Sequence, residues 1–165
     1  MRKAIMTEKA PKPIGPYSQA IVEGDFIFLA GQGCTNPETG ELELGDVQSE
    51  TKRTFENIRE ILQAAGSSLD DVTKCNVYLR DIHDFAAMNE VYETFFSAPF
   101  PARTTIQAGA LPGGIAVEIE CIAKKGRKKE QKKARKKAEK AEKKAVKAEK
   151  KARKKARPGS RNKGQ

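Results

Sequence analysis

The chain is 165 residues long and carries a formal charge of +10, which suits one domain with an appendage rather than several domains. That charge is unevenly placed: residues 1–123 hold 10 Lys and Arg against 18 Asp and Glu, a net −8, while residues 124–165 hold 22 against 4, a net +18. The imbalance argues against a nucleic-acid face on the body, and three cysteines without CxxC or metal-ligand spacing argue against a disulfide framework or a zinc site.

The opening "MRKAIMTEKA" has no apolar run, so no secretory signal is expected, and no stretch has membrane-spanning length. Free thiols without a framework lead to the expectation of a reducing, cytoplasmic location. "AIVEGDFIFLAGQG" predicts a hairpin, with strands at Ala20–Val22 and Phe26–Ala30 and a turn at Glu23–Asp25. "CTNPETGEL" reads as a polar loop. From Asp46 to Ala65 the apolar residues recur at helical spacing, and Gly66 is a plausible stop. "VTKCNVYL" alternates, with Cys75, Val77 and Leu79 on one face, as in a half-buried strand. "DFAAMNEVYETFF" returns to helical spacing, with Asp84 or Asp81 as its cap. "RTTIQAGA" and "IAVEIECIA" follow as two strands joined by "LPGG", expected to pair with each other. Val117, Ile119 and Cys121 share one face of the last strand, and Glu118 and Glu120 share the other. The order β-β-α-β-α-β-β predicts an α+β sandwich with two helices on one sheet face.

Arg103 stands out because it is the only Lys or Arg between Asp81 and Ala123, a span with six carboxylates. If the last two strands pair, Arg103, Glu118 and Glu120 share one end of the sheet. An arginine fork grips a carboxylate in a bidentate fashion, and a nearby carboxylate holds or activates a water. The alternative is an ordinary cross-strand Arg–Glu pair. In "IGPYSQA" the Gly15–Pro16 turn fixes Tyr17 either toward a ligand or over the core edge. "AGQG" at residues 30–33 offers small residues where backbone can approach a ligand, but it matches no phosphate-loop spacing. His83, the single histidine, sits among acids and reads as a surface residue. It leaves no credible Ser/His/Asp or Cys/His arrangement.

Taken in order, "IGPYSQA", "AGQ", "NPETGE", "NIREILQAAGSSLDDVTKCNVYLRDIHDFAAMNEVYETFF", "FPART" and "VEIECIA" resemble the RidA (YjgF) family of imine deaminases over residues 1–124. The resemblance implies a chorismate-mutase-like fold, a homotrimer with clefts between subunits, and hydrolysis of 2-imino acids such as 2-iminobutanoate and 2-iminopropanoate to 2-keto acids and ammonia. No cofactor is implied. By position, Arg103 matches the arginine that grips the substrate carboxylate, and Glu118 the acid that positions the attacking water. Tyr17, Gly31, Gln32, Asn89 and Thr105 match residues that line the pocket. Ala30 departs from the serine usual before "GQ", which removes one hydroxyl.

The expected division is a deaminase body at 1–124 and, as the appendage, a basic tail at 125–165. The tail holds strong helix formers and an alanine repeat from Ala134 to Ala156, so it reads as a helical or disordered arm for nucleic acid or another anionic surface. The other functional reading is a non-catalytic binding, holdase or translation-inhibitor-like relative that contacts nucleic acid through this tail.

Overall fold

The computed structural model describes residues 1–126. The expectations for the tail beyond them, helicity and alanine stripe included, lie outside the described residues. Six strands and two helices form the body: β1 (Lys3–Ile5), β2 (Ala20–Glu23), β3 (Phe26–Leu29), α1 (Val47–Ala64), β4 (Val72–Leu79), α2 (Phe85–Phe95), β5 (Ala102–Gln107) and β6 (Val117–Lys124). They make one mixed sheet in the order β1-β2-β3-β6-β4-β5, with both helices packed on one face. β1 was not expected from sequence; it is short, and Ile5 is its one buried residue.

Local chemistry explains the helix ends. Asp46 caps α1 by accepting from the Ser49 backbone N–H at 2.7 Å. At the other end Gly66 adopts φ +77°, and the Ser67 N–H donates to the Leu62 carbonyl at 2.8 Å. That pair of features closes the helix, because glycine alone takes a left-handed φ without penalty. Asp81 accepts from the His83 N–H at 2.9 Å and so caps the short turn ahead of α2, whereas the Asp84 side chain caps nothing. Phe55 of α1 is fully buried and contacts Tyr92, Phe95 and Phe96 at centroid distances of 5.4, 5.0 and 5.4 Å. Burying such a ring contributes about 1.5–3 kcal/mol, and the cluster locks α2 onto α1.

The expected β5–β6 hairpin does not form. β5 pairs in parallel with β4, Cys75 opposite Arg103, while β6 lies on the other side of β4, antiparallel to it, Cys75 opposite Cys121. The reason is connectivity. The chain leaves β4, crosses through α2 and returns beside β4 as β5, which is how parallel neighbours are joined. Residues 108–116 then carry it past β4 to the far side, a connection longer than a hairpin loop.

Candidate active site

Register decides which face each functional side chain takes. Residues directly opposed in a ladder share a face, and neighbours along a strand alternate. Arg103 is opposite Cys75, which is buried under the helices, so Arg103 points to the helix side at the sheet edge. Its guanidinium lies over the Tyr92 ring at 4.5 Å and faces the Phe85 ring at 5.4 Å. No carboxylate pairs with it among the described residues, so the ordinary cross-strand ion pair is absent. Thr105, two residues on, shares its face, and Asn89 and Tyr92 lie one helical turn apart on α2. The Asn89 Oδ1 and Thr105 Oγ1 are buried without a hydrogen-bond partner, and the Tyr92 hydroxyl is buried beside the Cys75 thiol. A buried polar atom left without a partner costs about 1–3 kcal/mol, and a polar ligand at this edge would satisfy both Asn89 and Thr105. Burial first, then the neighbouring Cys75, pushes the Tyr92 phenol up, so it stays a neutral donor.

Glu118 is opposite Tyr78 and therefore lies on the open face, away from the helices. The expectation that Arg103, Glu118 and Glu120 share one end of the sheet is thus corrected: within one chain Arg103 and the glutamates occupy opposite faces, with β4 between their strands. The two glutamates also differ. Glu120 accepts from Asn76 Nδ2 at 2.7 Å and from the Tyr78 hydroxyl at 3.0 Å, so its role on this face is structural. The Glu118 side chain accepts no hydrogen bond among the described residues, and burial, then the charge of Glu120, holds its carboxyl above the usual glutamate value.

The loop after β3 shapes the space around Glu118. Phe28 is opposite Ile122, but Gln32 is opposite Ile119, so this strand carries one extra residue between those pairs. The irregularity lays Gly31 against Glu118: a Cβ on Gly31 would fall 2.8 Å from the Glu118 carboxyl carbon. Only a residue without a side chain leaves the carboxylate there undisturbed. Gln32 is buried and spends its amide on the Ala30 and Gly31 carbonyls at 3.2 and 3.0 Å, so it holds the loop. Tyr17 is half exposed, and its phenol accepts from the Ile14 N–H at 3.3 Å. Its loop is tied to Ala30, whose N–H donates to the Gln19 carbonyl at 3.1 Å.

The structure thus sorts the predicted residues into two groups, Arg103, Asn89 and Thr105 on the helix side, and Glu118 and Gly31 on the open side, with Gln32 bracing the loop and Tyr17 on the segment tied to it. His83 is exposed and pairs with Asp81 at 2.7 Å, as a surface histidine should. Sequence reasoning missed Phe85 and Tyr92 as the arginine's platform; their spacing of seven on α2, bracketing Asn89, was the available signal. It also missed Gln19 and Glu50. Buried Gln19 ties Thr7, Ala10 and Pro11 to the start of β2, and buried Glu50 accepts from the Ala116 and Gly45 N–H groups at 2.6 and 3.1 Å. Among the described residues no cluster of His, Cys, Asp and Glu suits a metal ion.

The family model described as "Endoribonuclease L-PSP" matches residues 7–125. A RutC family protein of Pyrococcus abyssi is 55% identical over 124 residues, 75% of this chain and 98% of its own. A 2-iminobutanoate/2-iminopropanoate deaminase of Capra hircus is 48% identical over 126 residues, 76% of this chain and 92% of its own. Among solved structures, E. coli TdcF with bound serine is 41% identical with a TM-score of 0.71, covering 75% of this chain and 99% of that one. With the family model spanning most of the two-helix, six-stranded body and a relative 55% identical over 124 residues, the chain belongs to the endoribonuclease L-PSP family, which is also the RidA/YjgF family.

Proposed function

We propose that the protein is a 2-iminobutanoate/2-iminopropanoate deaminase, and that its site forms where the Arg103 edge of one copy meets the Glu118 face of the next in a homotrimer. The observation that carries this reading is the Arg103 guanidinium, held on two rings with no carboxylate partner among the described residues, on the same sheet face as Thr105. It supplies two parallel donors to a substrate carboxylate. Asn89 Oδ1 is an acceptor for the imine N–H, and the Tyr92 and Thr105 hydroxyls complete the polar lining.

The chemistry needs no redox or group carrier. The imino acid enters as R–C(=NH2⁺)–COO⁻. Glu118, with a raised pKa and no competing hydrogen bond, takes a proton from water as the oxygen attacks the imine carbon. The resulting carbinolamine carries both OH and NH2 on that carbon. Glu118 returns the proton to nitrogen; as the C–N bond breaks and the carbonyl forms, ammonia leaves, and the hydroxyl proton passes to Glu118 and on to the ammonia as ammonium. The net change is imine plus water to 2-keto acid plus ammonium.

The two faces require a head-to-tail contact. Each copy presents its arginine edge to one neighbour and its glutamate face to the other, an arrangement that closes as a ring. Family resemblance supports three as the ring number. A goat deaminase at 48% identity and a serine-bound neighbour support small amino-acid-like ligands. Three free, buried thiols suit the cytoplasm. The test is keto-acid release from 2-iminobutanoate made in place by threonine dehydratase: acceleration over the spontaneous rate is expected, and none would overturn the reading.

A further inference from the structure

The three cysteines are free and fully buried, and the proposed hydrolysis uses none of them. They are not equivalent. The Cys34 thiol donates to Glu50 Oε2 at 3.4 Å, and burial, then the Glu50 charge, pushes it up to about 12. It is locked as a thiol. Cys75 and Cys121 instead face each other across β4 and β6 as direct ladder partners, their sulfurs 3.4 Å apart. Opposed residues in an antiparallel ladder have Cα atoms about 4.5–5.5 Å apart. A disulfide spans about 4.4–6.8 Å between Cα atoms. The backbone is therefore already placed, and rotation of the side chains closes the remaining gap to about 2.05 Å.

Cys75 has a second neighbour of consequence. It is also the ladder partner of Arg103, and it lies in the surroundings of the Tyr92 hydroxyl on which that arginine rests. The dithiol is therefore next to the proposed substrate-binding cation, in the same layer of the core.

We propose that Cys75 and Cys121 are a dithiol that closes to an intrachain disulfide when local opening of the β4–β6 seam admits a small hydroperoxide to the buried sulfurs, and that this bond weakens the Arg103 site. Cys75 is the attacking sulfur: the hydrogen bond shared with Cys121, then Tyr92 and the Arg103 charge, hold its thiol below the usual value against the effect of burial. Its thiolate attacks the outer peroxide oxygen, the O–O bond breaks, and the alcohol (water, for hydrogen peroxide) leaves. The product on Cys75 is a sulfenic acid. The Cys121 sulfur gives up its proton, attacks Cys75 and expels water. Two thiols and one hydroperoxide become one disulfide, one alcohol and one water, with the sulfurs oxidised and the peroxide reduced. The new bond draws the Cys75 sulfur away from Tyr92, loosening the ring on which the guanidinium is held. Dithiols of this kind in reducing compartments serve as transient, sensing sites.

The test uses the full chain treated with hydrogen peroxide, then denatured, alkylated and mapped by mass spectrometry. Expected is a peptide holding Cys75 linked to one holding Cys121, with Cys34 alkylated. Finding Cys75 and Cys121 both alkylated, or Cys34 consumed first, would overturn the proposal. In Cys121→Ser, or Cys121→Ala should that variant fold poorly, Cys75 should stop as a sulfenic acid that dimedone traps. The effect on the arginine rests on the deaminase reading. There, oxidation should raise KM for the imino acid several-fold, dithiothreitol should reverse it, and Cys121→Ser should not respond. Linked peptides with unchanged KM would remove the coupling while leaving the dithiol, and the mapping stands whether or not the protein is a deaminase.

Discussion

The two faces of the sheet are built from the same strands but solve different problems. On the helix-covered face Cys75, Val77, Val117, Ile119 and Cys121 are essentially sealed, and Arg103 is the one cation at the rim, held by rings rather than by an acid. On the open face Asn76, Tyr78, Glu118 and Glu120 are half exposed, and Glu118 is left without a donor while its neighbour Glu120 has two. Neither Arg103 nor Glu118 has an ion-pair partner among the described residues, and alternation along the strands keeps the two charges apart in a single chain. In the proposed reading, the cation that needs an anion and the acid that needs a water are brought together by a second copy.

The largest expected effect is loss of either charge. Arg103→Ala should cost at least about 10²–10³ in imine hydrolysis, the loss typical of removing one positioned transition-state donor. Glu118→Gln should cost about 10²–10⁴, the usual contribution of a general base. Both variants should keep the fold, since each side chain lacks an ion pair to lose. Steady-state rates beside circular dichroism would check this, and near wild-type rates in either variant would break the division between the faces. A milder perturbation is Gly31→Ala. The added methyl collides with the flexible end of Glu118 and not with backbone, so it should displace the carboxylate and lower kcat without lowering Tm. A loss of stability with unchanged kcat would show that Gly31 serves folding alone.

The open face should also reveal itself through pH. Because burial and Glu120 raise the Glu118 pKa, this carboxyl binds its proton at higher pH than an ordinary glutamate. The base form is then lost as pH falls through that raised value, so the acid limb of the rate profile should sit above the usual glutamate range. In Glu120→Gln, which removes the like charge, the limb should move to lower pH. A limb that does not move would assign it to another group.

Much of this could be read from the sequence. Helical spacing in α1 and α2 and alternation in β4 and β6 follow directly from burial on one face, so the elements and their buried sides emerged as expected. The faces of Glu118 and Glu120 emerged too, because alternation is local. Strand order was not legible: the pairing of β5 with β4 depends on a crossover through α2, and nothing local to "RTTIQAGA" distinguishes a parallel edge strand from half of a hairpin. Arg103 and Glu118 were therefore expected together and lie apart in a single chain. Tyr92 read as a core aromatic, which it also is, and its contact with Arg103 became visible only with both elements docked. Gln19 was hidden in a motif whose other residues drew attention to ligand binding.

The smallest effect on hydrolysis should come from the tail. Ending the chain after Lys124 should leave the deaminase rate unchanged, since both faces lie within the body. We propose that the tail, by its net charge alone, binds generic nucleic acid at low salt. Gel-shift assays should show binding by the full chain that falls about 10³–10⁵-fold from 50 to 200 mM salt if roughly 6–10 phosphates are engaged. Binding retained by the shortened chain, or binding insensitive to salt, would remove the arm from consideration.

Complementation between the two dead variants is the most direct measurement of the shared site. Arg103→Ala and Glu118→Gln chains, each inactive alone, are co-expressed with different tags and the mixed assemblies isolated. If a site takes its arginine from one copy and its glutamate from the next, every mixed trimer regains one of its three sites, and keto-acid release should return to about a third of wild type. If both groups act from the same chain, every site in the mixture lacks one of them, and the mixed assemblies would stay as inactive as their parents.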